Sequence, residues 1–391
     1  MCANFVTHDR SIDFDSIAPL ANRKTTQLAK KTPQSISSRP TVKFVLALAD
    51  PRSCIPEELP RVSNASRPIF VEMVPFRIEP QFVRRAWGWN DLRPWYDHIA
   101  DREPIGEVWL TGDECKAATG PHAGKTLGSL FDENPHALLG PSAPNDGSPL
   151  LIKVIFAREK LSVQVHPDDR LAHKYGQPRG KTECWYTLAA EPDAQLALGL
   201  KPGATLDEVK AGIDNGTLEQ SLNTLPVHAG DLFFVDAGTV HAIWPGSVLL
   251  ETQQNSDITY RMYDYGRDRE LHIEKSIEAT RLTTNAGLVS PRVLPDRTVL
   301  IEGSYFSVEK IPVEVSRSST TLHLSADSAP TLSYLFAASG SARITSPSFA
   351  SVDLPARGIV AVPASSPVFA IQDLGGLDLV RITARTPGKG E

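Results

Sequence analysis

In Leu161-Ser-Val-Gln164-Val-His166-Pro-Asp-Asp169 an amide and an imidazole stand two residues apart. Residues i and i+2 of an extended strand share a face, so Gln164 and His166 project together while Val163 and Val165 point the other way. Two lone-pair donors side by side can hold a metal ion. Partners of the same competence follow: Glu183 in Gly180-Lys-Thr-Glu-Cys-Trp185 and His241 in Ala237-Gly-Thr-Val-His241. The four would offer two imidazole nitrogens, a carboxylate oxygen and an amide oxygen. Without a thiolate, that set suits zinc with room for substrate or water, and tolerates manganese or iron. Each residue alone says less, because a single histidine is usually a hydrogen-bonded structural residue and Glu183 has an ordinary ion-pair partner in Lys181. Cys184, next to Glu183, must face the opposite side of a strand and is assigned to packing.

A second dense polar stretch is Glu251-Thr-Gln-Gln-Asn-Ser-Asp-Ile-Thr-Tyr-Arg261-Met-Tyr-Asp-Tyr-Gly-Arg267. If Thr259–Tyr263 is a strand, Arg261 shares a face with Thr259 and Tyr263. A guanidinium beside a metal can stabilise a developing oxyanion or hold a phosphate. The competing expectation is a surface arginine paired with Asp257 or Asp264.

The elements that must position these groups are mostly strands. Pro149-Leu-Leu-Ile-Lys-Val-Ile-Phe156 reads as a buried strand interrupted by Lys153. A charge there needs an anion or a cavity, or must snorkel to a sheet edge. Thr205-Leu-Asp-Glu208 is a capping box that opens an amphipathic helix through about Ile213, stopped at Asn215-Gly216. Thr217–Leu222 reads as a second short turn of helix, giving a helical insertion over about 203–224. Strand resumes over Val227–Val235, and from about Val293 β-rich runs alternate with Gly/Pro/Ser turns. Many short strands at this spacing favour a double-sheet barrel or jelly roll.

Composition bounds the rest. The chain has 391 residues, 41% hydrophobic and 22% charged, as in ordinary globular proteins. Residues 1–70 carry a net charge of +4 and hold none of the six tryptophans or eight tyrosines. They read as a disordered extension, with Met73 a plausible alternative start. The remaining −10 argues against nucleic acid as the main partner, while a small anion remains compatible. No apolar run is long enough to span a membrane. Four scattered cysteines (2, 54, 115, 184) make no disulfide framework, so a cytoplasmic setting is expected.

Gly230, then Asp236-Ala-Gly238, then His241 resembles the second cupin motif, with Asp236 where proline is usual. Its glycines would turn a hairpin that delivers His241 to a barrel mouth. In the first motif Gln164 stands in the first histidine's place, and Glu183 is delayed by a segment containing Asp168–Gly176. More specifically, Ile105-Gly-Glu-Val-Trp109, Pro149–Lys153, Leu161–Asp168, Gly180–Tyr186, Ala237–His241 and Gln253–Asp264 together resemble the type I mannose-6-phosphate isomerases of the short bacterial form. The match is strong over about 71–285 and weaker to 391.

That resemblance implies a mainly β, cupin (jelly-roll) double-barrel chain with a small helical insertion. It implies a catalytic domain over 71–290 and a supporting β-rich domain over 291–391. It implies one zinc per chain on Gln164, His166, Glu183 and His241, with Arg261 catalytic, and a phosphosugar substrate in a monomer or homodimer. The reaction would interconvert mannose 6-phosphate and fructose 6-phosphate through an enediol. Lys181, two residues before Glu183, could orient the sugar or, with a lowered pKa, move a proton. Lys153 and Ser162 are candidates for the substrate end, phosphate contacts included. Two rival expectations are a phosphosugar-sensing cupin without catalysis and a metal cupin of other chemistry, such as a dioxygenase.

Overall fold

Alternation of apolar and polar residues along the strands sorts this chain into three sheets with distinct faces. A computed structural model describes residues 72–141, 146–313, 320–322 and 331–385. The 1–70 extension therefore lies outside the described residues. A five-stranded sheet runs in the order Tyr260–Tyr263, Val163–Val165, His241–Ile243, Gln195–Leu200, Leu222–Pro226. A seven-stranded sheet runs Gly287–Leu288, Leu232–Val235, Glu183–Ala190, Ser247–Gln254, Leu150–Phe156, Ile105–Trp109, Gln81–Trp89. All pairings are antiparallel, and most neighbouring strands are far apart in sequence, so long-range register rather than local hairpins sets the sheets.

The two sheets face each other across a core containing Trp185, Leu249, Ile155, Leu196, Leu198 and Ile243. Their outer faces are also covered. Val163, Val165, Ala242 and Met262 pack with Val209 and Ile213 of the helical insertion. Cys184, Tyr186, Val154 and Leu250 pack into the largest core, shared with the C-terminal sheet. Cys184 thus faces away from Glu183, as strand alternation requires. This is a cupin-type double-sheet barrel.

The insertion forms as its local chemistry dictates. Helix Leu206–Asp214 starts at Thr205, whose hydroxyl accepts from Glu208 N while Glu208 Oε2 accepts from Thr205 N. Gly216 takes a left-handed φ of 68° after the helix, and a 3-10 turn follows over Leu218–Ser221. One expectation shifts: strand does not run through 227–235. Asp231 Oδ2 accepts from His228 N and Gly230 takes φ 94°, closing a turn between Leu222–Pro226 and Leu232–Val235.

The third sheet joins nine strands, including the N-terminal strand Phe76–Ile78 paired with Ile359–Val362. Along Ser333–Ser346, Tyr334 and Phe336 enter the core shared with the barrel, whereas Leu335 and Ala337 enter a second, separate core. The described residues belong to one compact unit. Among them, no helix is long and apolar enough to cross a membrane.

Candidate metal centre

Register builds one half of the site. His241 lies opposite Gln164, and Arg261 lies opposite Gln164 on its other side. Residues directly opposite in an antiparallel pair share a face, so Arg261, Gln164 and His241 form a row looking into the barrel. The hairpin before His241 is tied down locally. Gly238 takes φ 91°, its N donates to His166 O at 2.8 Å, and Thr239 Oγ1 donates to Asp236 Oδ1. An added Cβ at Gly238 would also strike Arg281, so glycine is required twice over.

Glu183 begins its strand in the facing sheet. The segment before it is zipped to the His166 strand: Gly180 N donates to Asp169 Oδ1 and Lys181 N donates to Pro167 O. A Cβ at Gly180 would sit 2.5 Å from the Asp168 carbonyl carbon, so this close approach needs glycine.

His166, Glu183 and His241 are all buried, with ligand atoms within 4.8 Å of one another. A carbonyl can only accept, so His166 Nδ1 donates to Ile258 O at 2.8 Å and His241 Nδ1 donates to Thr239 O at 2.9 Å. Both rings therefore turn an Nε2 lone pair inward, the tautomer a metal ligand needs. His241 Nε2 is 3.5 Å from Glu183 Oε1, His166 Nε2 is 3.6 Å from Glu183 Oε2, and Gln164 Nε2 is 3.2 Å from His241 Nε2. A tetrahedral ion with bonds of about 2.0–2.1 Å sets its ligand atoms roughly 3.3–3.4 Å apart, and these separations, the two to Glu183 running to different oxygens, lie near that scale.

Gln164 fits with one adjustment. Its Nε2 donates to His241 Nε2, and Ser162 Oγ donates to its Oε1 at 3.1 Å. A hydroxyl both donates and accepts, so a half-turn of the amide brings Oε1 to the centre and keeps Ser162 bonded. Ser162, buried, thus touches the amide that orients a ligand atom. Burial lowers the pKa of His241 to about 4 and that of His166 well below its usual value, so both imidazoles are neutral at pH 7. Glu183 Oε2 is buried and faces two groups, the Lys181 ammonium at 3.1 Å and His166 Nε2 at 3.6 Å.

Lys181 lies at the centre's edge, with Nζ 3.1 Å from His166 Nε2 and 3.1 Å from Glu183 Oε2. Burial opposes its charge, but Glu183 and Glu251 outweigh burial and raise its pKa. The lowered pKa that a proton-accepting Lys181 requires is therefore not what these neighbours produce. Lys153 is 3% exposed, with Nζ 3.6 Å from Glu107 and 3.5 Å from Glu251. It has met anions rather than a sheet edge. Arg85 extends the chain of alternating charges through Glu107 at 2.9 Å. Arg261 is half-buried and donates from Nη1 to Glu270 O, with Nε lacking a partner among the described residues. Asp264 is bound by Arg267 and Arg269 instead, so the surface-pair expectation for Arg261 and Asp264 does not describe this arginine.

Sequence reasoning passed over Glu251 and Glu107. Glu251 lies opposite Lys153, with Oε2 3.5 Å from Lys153 Nζ and Oε1 3.5 Å from Lys181 Nζ. Burial raises its pKa to about 7. Ser247-Val-Leu-Leu-Glu-Thr252 carried the signal: a carboxylate in an apolar strand needs a partner as much as Lys153 does.

Residues 76–200 match the catalytic domain of phosphomannose isomerase type I. ManA, a mannose-6-phosphate isomerase of Bacillus subtilis, is 38% identical over 252 residues, covering 60% of this chain and 78% of ManA. The chain belongs to the type I phosphomannose isomerases. A mannose-6-phosphate isomerase of Streptococcus mutans agrees, at 36% identity over 60% of this chain and 78% of its own length. The crystal structure of a mannose 6-phosphate isomerase from Bacillus subtilis superposes with a TM-score of 0.69 at 29% identity, covering 80% of this chain and 100% of that one. A phosphomannose isomerase variant from Salmonella typhimurium, at 16% identity and a TM-score of 0.64 over 80% of this chain and all of its own, shares the fold. Every phosphomannose isomerase segment named from the sequence lies within strands or loops that border the metal centre or its ion-pair chain.

Proposed function

We propose that this chain is a zinc-dependent mannose-6-phosphate isomerase that interconverts D-mannose 6-phosphate and D-fructose 6-phosphate through an enediol. The observation that carries the reading is the convergence of both inward Nε2 lone pairs on buried Glu183, with Gln164 in register beside His241. Gln164, His166, Glu183 and His241 would hold the ion. When bound, the ion supplies Lewis-acid stabilisation of negative charge developing on the sugar oxygens.

The chain's own residues supply the remainder. Arg261, in the same row, presents a fixed cation to the developing anion and does not deprotonate at working pH. Lys181, held as an ammonium, donates to substrate oxygen and orients the sugar. The reaction moves a proton between C2 and C1, and Glu251, whose Oε1 lies 3.5 Å from the Lys181 ammonium, offers a carboxyl group to carry it. Lys153, fixed by Glu107 and Glu251, orients that carboxyl; Ser162 orients the Gln164 amide. We read residues 291–391 as a supporting half, reinforced by the Phe76–Ile78 strand, and the setting as cytoplasmic, consistent with free Cys115 and Cys184.

A coupled isomerase assay on mannose 6-phosphate and glucose 6-phosphate, with metal content measured on the same sample, tests the reading. It expects one zinc per chain and turnover of the mannose ester. Full turnover without any metal would overturn it.

A further inference from the structure

A cavity of about 480 Å³ opens beside the Phe76–Ile78 strand and shares no lining residue with the metal centre. This volume lies in the range of small-molecule sites. Ile78, Tyr96 and Leu110 give it apolar walls, and two arginines, Arg77 and Arg357, line it. Arg357 holds a left-handed φ of 58°, a conformation that is costly for a non-glycine residue and that gathers at ligand sites. Tyr96 OH donates to the Arg357 carbonyl at 3.0 Å, and the guanidinium carbon lies 4.8 Å from the Trp95 ring centroid. The backbone and the stacked ring thus fix the arginine.

The guanidinium is nonetheless poorly paired. Its Nη1 makes one long 3.4 Å contact to Pro94 O, and its Nε is buried with no hydrogen-bond partner among the described residues. The Arg77 guanidinium has the exposed Asp353 as a charged neighbour, but that carboxylate is already held by Arg343 at 2.6 Å. The lining's carboxylate, Glu79, is exposed and pairs with neither arginine. Burial lowers the pKa of Arg357, opposed only by Tyr96, so no carboxylate offsets the cost of this half-buried cation. An anion from outside would.

We infer that this cavity binds a small organic oxyanion, its phosphate or carboxylate group between Arg77 and Arg357 and its apolar body against Tyr96 and Leu110. Guanidinium forks match both oxyanions in bidentate geometry. The site is distinct from the isomerase centre, and its occupancy does not require turnover.

Isothermal titration of the metal-loaded protein with phenyl phosphate and with benzoate tests this. The variants are Arg357→Gly, which suits the left-handed backbone and so keeps the fold, and Arg77→Ala on the strand. Each should weaken binding roughly tenfold or more, the scale of a lost charged hydrogen-bond pair, with isomerase kcat/KM unchanged. The probe that binds native protein more tightly names the group, phosphate or carboxylate. Identical isotherms for native protein and both variants, or no binding of either probe to native protein, would overturn the inference.

Discussion

Gln164 lies opposite His241 on one neighbouring strand and opposite Arg261 on the other. One row across three strands therefore carries the amide and the imidazole proposed as metal ligands and the arginine proposed to meet the substrate's developing charge. A one-residue slip of either pairing would turn a member of that row to the apolar outer face, where Val163, Val165 and Ala242 pack. The hydrophobic core thus fixes the chemistry's geometry.

Arg261→Ala should lower turnover by roughly 10²–10³, the scale of removing one electrostatic stabiliser of a developing oxyanion. Metal content should stay at the native level, because Arg261 touches Glu270 O and not the ligands. Loss of metal together with activity, read by elemental analysis beside the assay, would make Arg261 a structural residue.

Ser162→Ala removes the hydroxyl that fixes the Gln164 amide. Metal affinity should fall about 10–100-fold, with activity recovered in excess zinc, as when the partner of a ligand is lost. A chelator-competition titration measures this. Unchanged affinity would mean that strand packing alone orients the amide.

Acid should weaken the fold through Glu107. Burial raises its pKa, but Lys153, Arg85 and the Trp109 indole outweigh that and hold it at about 2, below the ordinary 4.5. A carboxyl depressed in the folded state stabilises above the unfolded pKa and loses that contribution as pH falls through the folded one. The window is therefore about pH 4.5 down to 2, and the contribution on the order of 3 kcal/mol. Urea midpoints should drop through that window in the native protein and much less in Glu107→Gln, which starts less stable because Lys153 loses a buried partner. Equal pH dependence in both would assign the acid sensitivity elsewhere.

Much of the centre was legible from local pattern. The Gln164–His166 alternation, the glycine hairpin before His241 and the Thr205 capping box each depend on spacing within a few residues. The ion-pair chain was not, because Lys153 meets Glu107 and Glu251 only through strand register far apart in sequence. The turn at His228–Asp231 was hidden for a different reason. Its apolar neighbours read as continuous strand, while a side-chain hydrogen bond decides the break.

The central claim is that the Gln164, His166, Glu183 and His241 centre holds the metal on which isomerisation depends. Chelator-stripped protein, assayed on mannose 6-phosphate before and after zinc return, tests it most directly. The account predicts negligible activity when stripped and full recovery at one zinc per chain, with His241→Ala recovering neither metal nor turnover. Full activity in the stripped protein, or in metal-free His241→Ala, would contradict it.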